Sequence, residues 1–302
     1  MNKSNKIVHT LWIGHKLSLM ENLTIKLLQK HGHKVHLWCY NKIENIPKNT
    51  IIRDASEIMP KESIFRYTGK PHKKLPNNGI GSLAHWSDQF QLSLLYKYGG
   101  IYSQLDLAYL KPLNFKEKYF FIEDAIDSKK KALGAFLMKC PKGSLFTKNC
   151  LKELKSKINK STINSISWED SMELMYEVLE KHNLEKYCLP KKYHLAGQIF
   201  RINPPKNNIP IIHWSNATNY LLKNKPPLNT YYEFLLDDVG LIKINPNNLK
   251  RKINKFLNKN IIKKNKGRDG KIFYKIKKQQ FKKLILNLPY KFSNKLRSIL
   301  NQ

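Results

Sequence analysis

The chain lacks most features of a disulfide-stapled or membrane-spanning protein. Its 302 residues hold four cysteines, Cys39, Cys140, Cys150 and Cys188, with no CxxC spacing. That excludes a disulfide framework and the common zinc clusters, and fits reduced, mostly buried thiols. Apolar runs are short: mean hydropathy is −0.53, and none approaches the ~20 residues that a membrane-spanning helix requires. The opening Met1-Asn2-Lys3-Ser4-Asn5-Lys6 has neither the apolar stretch nor the small-residue cleavage site of a secretory signal. A cytoplasmic protein is expected.

Arginine is scarce: six residues against 49 lysines, although 55 basic and 22 acidic side chains give a net charge of +33. Such a charge draws polyanions in general. Readers of phosphates and base edges, however, rely on the bidentate guanidinium fork, and no nucleic-acid-binding motif is present. Specific nucleic-acid recognition is therefore not expected, and a general polyanion binder is the alternative. The abundance of Lys, Asn and Ile reads as compositional bias. Acids are nearly absent from residues 241–302, where 19 basic side chains face the single acid Asp269. Two parts follow, a mixed-charge body over 1–240 and a basic segment over 241–302. In that segment Ile253, Phe256, Leu257, Ile261 and Ile262, then Phe281, Leu284, Ile285 and Leu288, interleave with lysine. This pattern predicts a basic amphipathic helix, either suited to an anionic membrane surface, which would hold the protein peripherally on the inner face, or solvated and packing its apolar side on the body.

What is present is apolar material for a sizeable core, 41% of the chain, patterned as α/β. Lys6 to Ile13 reads as a buried strand. Ser18-Leu19-Met20-Glu21 is a capping box opening a helix that stops at Gly32. Strands are expected over Val35–Tyr40 and near Thr50–Arg53. Residues 60–82, with three prolines and three glycines, predict a long loop, a candidate lid over an acceptor. Leu83, Trp86, Phe90 and Leu94 recur at helical spacing up to Gly99-Gly100. Ile101–Leu107 then alternates as a strand. Further strands are expected at Phe120–Ile122, within Ala132–Met138 and at Pro210–Trp214, and helices over 144–158 and 168–181.

The segment 87–106 concentrates chemistry. Asp88 and Gln91 are i, i+3 neighbours on the helix. On an uninterrupted strand, period two places Tyr102, Gln104 and Asp106 on one face and Ile101, Ser103 and Leu105 on the other. An acid at the carboxyl end of a strand in an α/β sheet stands where such folds bind ligands. A carboxylate there can hold a hard divalent cation, and the cation a diphosphate. Glu123 and Asp124, after a short strand, are candidates for the acceptor side.

Ser87-Asp88-x-x-Gln91, followed by Leu95-Tyr96-Lys97-Tyr98-Gly99-Gly100-Ile101-Tyr102-Ser103-Gln104-Leu105-Asp106, resembles the signature of glycosyltransferases containing the DXD sugar-binding motif. The usual form is Ser-Asp-x-x-Arg, then Leu-Tyr-x-x-Gly-Gly-x-Tyr-x-Asp-x-Asp. The opening Ile7–Gly14 resembles that family's first strand, and Ile211-Ile212-His213-Trp214-Ser215-Asn216 its closing block, so the resemblance spans roughly residues 6–220.

It implies a GT-A-type nucleotide-sugar-binding fold and a metal-assisted hexosyltransferase, retaining in stereochemistry. A hexose or amino-hexose would pass from a UDP-sugar, or a GDP-sugar, to a surface glycan or glycolipid acceptor. Leu11 and Trp12 would line the base pocket, Asp88 would contact ribose or sugar, and Tyr102 would pack by the nucleotide. Asp106 would coordinate Mn²⁺ or Mg²⁺. His213, with Trp214, Ser215 and Asn216 close by, would complete the metal and diphosphate shell. Gln104 replaces the first acid and Gln91 the arginine. Their joint replacement implies a changed donor preference with the metal kept at Asp106; the alternative is a degenerate protein that binds nucleotide-sugar without turnover.

Overall fold

The computed structural model describes residues 3–73, 75–124, 131–190, 194–196, 205, 210–215, 223–227, 230–244, 261–266 and 272–276. The chain divides into two compact units. The first comprises residues 1–198 and 207–224, the second 199–206 and 225–302; the sequence-based boundary at 240 falls within the second.

The first unit opens with a short helix α1 (Lys3–Lys6), then β1 (Ile7–Leu11), α2 (Leu19–Lys30), β2 (Lys34–Cys39) and β3 (Ile51–Asp54). The capping box forms as expected. Ser18 accepts from the Met20 amide, and the Glu21 carboxylate accepts from the Ser18 amide at 2.5 Å. After the 60–82 loop come α3 (Ala84–Tyr98), β4 (Gly100–Ser103), β5 (Leu107–Tyr109), β6 (Phe121–Ile122) and β7 (Leu137–Cys140). Helices α4 (Leu145–Lys157) and α5 (Asp170–Lys181) precede β8 (Cys188–Leu189), β9 (His194–Ala196) and β10 (Ile211–His213).

The main sheet runs β3-β2-β1-β4-β7, parallel except for β7. Strand periodicity assigns its faces. Val35, Leu37 and Ile101 join Ile25 and Leu28 of α2 in one core. Trp38, Tyr102 and Met138 join residues of α3, α4 and α5 in the other. The chain leaves β1 outward through β2 and β3, then returns by α3 to place β4 on the other side of β1. This reversal of strand order leaves a crevice beyond the carboxyl ends of β1 and β4, where open α/β sheets take ligands.

Two expectations are corrected. Ile101–Leu107 is not one strand: pairing stops at Ser103 and resumes at Leu107 in a second sheet, β5-β10-β9. The break is held by one side chain and one main-chain bond. Thr24 Oγ1 of α2 donates to the carbonyls of Leu105 (2.8 Å) or Leu107 (2.7 Å), and the Gln104 backbone N–H donates to the Phe136 carbonyl (2.8 Å). The helix expected across Ile261 and Ile262 is also absent. Ile261–Lys266 pairs antiparallel with Ile272–Ile276, as β-branched and aromatic residues on either side of a Gly-bearing segment favour. The second unit also holds the helix Tyr231–Asp238, capped by Thr230 on the Glu233 amide. The remainder of the 246–302 segment lies outside the described residues.

Candidate active site

A cleft of ≈ 720 Å³ occupies the crevice beyond β1 and β4. Nine candidate site residues singled out in the sequence line it: Leu11, Trp12, Asp88, Tyr102, Gln104, Asp106, Asp124, His213 and Ser215. Leu11 ends β1 and Trp12 follows it, its amide bonded to the Trp38 carbonyl at 2.9 Å. Asp106 sits on the break between β4 and β5. It meets His213 through antiparallel pairing of β5 with β10, in which His213 lies opposite Leu107. The Trp214 amide donates to the Asp106 carbonyl at 2.8 Å, which fixes the register.

Asp106 Oδ2 and His213 Nε2 lie 3.2 Å apart, with side chains only 12% and 15% exposed. Burial opposes charge on His213, but the Asp106 charge and hydrogen bond, with the Asp124 charge, raise its pKa. Phe136 stacks on the His213 ring at 4.5 Å between centroids, fixing its plane. Carboxylate and imidazole form a donor set suited to Mn²⁺ or Mg²⁺. Among the described residues no group of three or more His, Cys, Asp or Glu side chains could hold a metal alone. Two protein donors fit a site of the kind that Mg²⁺ shares with substrate phosphates and water. Asp106 and His213 are thus the residues that would hold the ion.

Asp88, on α3, is fully buried and accepts from Ser171 Oγ at 2.6 Å. Burial pushes its carboxyl up to about 6, against the smaller lowering effect of that bond. Burial likewise raises the Tyr102 phenol, with the Asp88 charge adding to the effect. Gln104 faces the cleft where an acid was the usual residue.

Gln91 and Trp214 are not among the cleft-lining residues: both are buried, at 1% and 0% exposure. Asn216 lies outside the described residues. Among the described residues, neither polar atom of the Gln91 amide has a hydrogen-bond partner. A buried, unpaired amide is costly. Gln91→Met is therefore expected to stabilise the protein by about 1–2 kcal/mol in urea unfolding, measured as a rise in midpoint at unchanged slope.

The loop 60–82 contributes Arg66, His72, Leu75, Gly81 and Ser82 to the cleft. It is tied down rather than free. Tyr67 Oη donates to the carbonyl of Lys70 (2.6 Å) or of Ile166 (3.2 Å), Thr68 bonds Asn164, and His72 pairs with Glu169 at 2.7 Å. Arg66 donates to the Gly81 carbonyl at 2.8 Å and sets a cation at the cleft. Its signal was present in the sequence: a solitary arginine in a Gly- and Pro-rich loop of a lysine-dominated chain. Trp168, Ser171 and Met172 carried no comparable signal, because they sit at the start of an ordinary amphipathic helix. Asp124, buried, lines the cleft, whereas its neighbour Glu123 does not.

No curated protein matches the chain. Among solved structures it is similar to "PaToxG Glycosyltransferase", at 17% identity and a TM-score of 0.38, covering 61% of this chain and 76% of that one. A second, described as a transferase mutant, shows 10% identity and a TM-score of 0.38, covering 60% and 86%. The sequence-family match is shorter than the resemblance over residues 6–220. It contains Asp88, Tyr102, Gln104 and Asp106 and leaves Leu11, Trp12 and His213 outside. From α2 to the residues just beyond β6, over positions 21–129, the chain matches the glycosyltransferase sugar-binding region containing the DXD motif.

Proposed function

We propose that the cleft binds a nucleotide-sugar and transfers its hexose or amino-hexose to a glycan or glycolipid hydroxyl, with retention of configuration. One observation carries this reading. The carboxylate of Asp106, inside the matched sugar-binding region, and the imidazole of His213 on β10, outside it, meet in the cleft at the strand-order reversal. A divalent cation bound there supplies Lewis-acid stabilisation of charge on a departing diphosphate.

The chain's own residues do the rest. Leu11 and Trp12 offer an apolar edge for the base at the end of β1. Asp88, held by Ser171, accepts hydrogen bonds from ribose or sugar hydroxyls. Gln104 presents both a donor and an acceptor where an acid would only accept, which favours a changed sugar preference over loss of binding. Arg66 borders the cleft from the loop side, where an acceptor or the leaving diphosphate would meet its positive charge. Asp124 faces the same space as a candidate base. UDP-sugars are the favoured donors and GDP-sugars the next.

Among the described residues no helix is long and apolar enough to cross a membrane. Docking of the basic segment on an anionic inner leaflet remains part of the proposal, supported by its charge alone. The test of function is slow donor hydrolysis over a panel of UDP-, GDP- and CMP-sugars with Mn²⁺ or with EDTA. Metal-dependent release of one nucleotide is expected. Equal, tight donor binding without any release, even with added acceptor glycans, would favour the degenerate alternative.

A further inference from the structure

A second cleft, ≈ 590 Å³, lies at the opposite end of the main sheet, where β1 and β4 begin and β7 ends. Its floor includes His9 of β1, 6% exposed. The tautomer of this histidine is fixed by its neighbour. The Trp38 indole N–H, which can only donate, points at His9 Nδ1 at 3.1 Å. Nδ1 therefore accepts, and the proton of the neutral ring sits on Nε2. Burial and the charges of His36 and Arg53 hold the His9 pKa down to about 3, so the ring stays neutral through the physiological range. Among the described residues Nε2–H has no hydrogen-bond partner, yet it is not an enclosed atom.

Gly100 lies beside that donor. Its backbone has φ +91°, which favours glycine, and a Cβ there would stand in ordinary contact with His9 Nε2, at 3.8 Å. Around the rim Lys116, Lys118 and Lys142 are exposed, and among the described residues none pairs with a carboxylate. Glu117 is the one acid on the lining. The carboxyl end of α3, whose dipole would repel an anion, is partly capped at this place. The Leu95 and Tyr96 carbonyls accept from the Gly99 and Gly143 amides, each at 2.8 Å. Below, the Lys139 ammonium is held by Asn5 Oδ1 (2.8 Å) and the carbonyls of Glu117 (2.8 Å) and Phe115 (3.2 Å). It adds charge beneath the cleft without being available as a ligand. Tyr98 and Pro141 complete the walls.

We propose that this cleft is a second binding site, separate from the one beyond β1 and β4, for a phosphomonoester group, with His9 Nε2–H as the buried neutral donor and Lys116, Lys118 and Lys142 as the charge. Neutral donors from a rigid strand bind an oxyanion without titrating, while flexible lysines at the rim supply long-range attraction. The cleft volume admits a small body attached to the phosphate.

The experiment titrates the full chain with glycerol phosphate by calorimetry and, separately, with vesicles containing phosphatidic acid. Three proteins are compared: wild type, the triple variant Lys116→Glu, Lys118→Glu and Lys142→Glu, and a charge-matched control with Lys148→Glu, Lys152→Glu and Lys155→Glu on α4. Because the protein is so basic, the control removes the general polyanion effect. At least tenfold weaker saturable binding in the triple variant, with the control within about twofold of wild type, is expected in one arm or both. The arm that responds identifies a soluble or a lipid carrier. His9→Leu should weaken binding similarly while His9→Gln, which retains an amide donor, recovers part of it. Absence of saturable binding in wild type, or equal losses in triple variant and control, would overturn the proposal. Neither result depends on whether the other cleft transfers sugar.

Discussion

Replacing Asp106 with alanine is expected to lower donor turnover by ~10²–10³-fold, the size seen when a preorganised group facing developing charge is lost. The Asp106 carboxylate lies against His213 Nε2, at 3.2 Å. Its removal takes away one of the two proposed protein donors and leaves His213 without the larger of the two charges that raise its pKa. The fold should survive, because the backbone carbonyl of Asp106, not its side chain, receives the Trp214 amide. The check is kcat for donor hydrolysis with Mn²⁺ beside a thermal melt. An unchanged melt with collapsed kcat is the expected pair. Asp106→Asn, which keeps shape but not charge, should recover little.

The second large effect separates stability from function at Asp88. Burial raises this carboxyl from its ordinary 3.8 to about 6. The native state therefore binds a proton more tightly than the unfolded chain, and stability falls as pH rises from near 4 through 6. Above that window the penalty is complete. Asp88→Asn removes the charge and retains an oxygen to accept from Ser171, so the variant should be the more stable protein at pH 8. Two pKa units correspond to at most ~3 kcal/mol, or a rise of roughly several degrees in Tm for a domain of this size. The advantage should vanish below pH 4, where both proteins are neutral at this position. Donor affinity should move the opposite way, falling at every pH above 6, since an acid that costs stability is expected where it serves binding. Melts at pH 4 and pH 8, paired with donor titrations at pH 8, measure both.

Much of this architecture was legible because it rests on local chemistry. The Ser18 capping box, the helical spacing of Leu83, Trp86, Phe90 and Leu94, and the Gly99-Gly100 stop each follow from short-range rules, and each element formed within a residue or two of its expected ends. Nine candidate residues converged, most of them because strand ends and the turns that follow them in an α/β sheet share one edge. What could not be read depended on distant partners. The break after Ser103 is made by Thr24, eighty-one residues from the Leu105 carbonyl that it binds, and no pattern in 101–107 announces it. The alternation there placed Gln104 and Asp106 on one strand face; both reach the cleft instead as members of an irregular turn. Gln91 occupies the correct helical offset from Asp88, yet three residues along α3 rotate it into the core. Arg66 and His72 enter the site only because the 60–82 loop is stitched to residues 164–169, pairings that sequence spacing does not encode.

The most direct measurement of the central claim is the electron paramagnetic resonance signal of free Mn²⁺, followed as protein and UDP are added together. The account predicts that wild type removes Mn²⁺ from solution when UDP is present and does so at least tenfold less tightly when it is absent. Asp106→Ala should abolish the UDP-dependent part. Mn²⁺ uptake that is indifferent to UDP, or equal in wild type and Asp106→Ala, would contradict a diphosphate-bridged metal at Asp106 and His213.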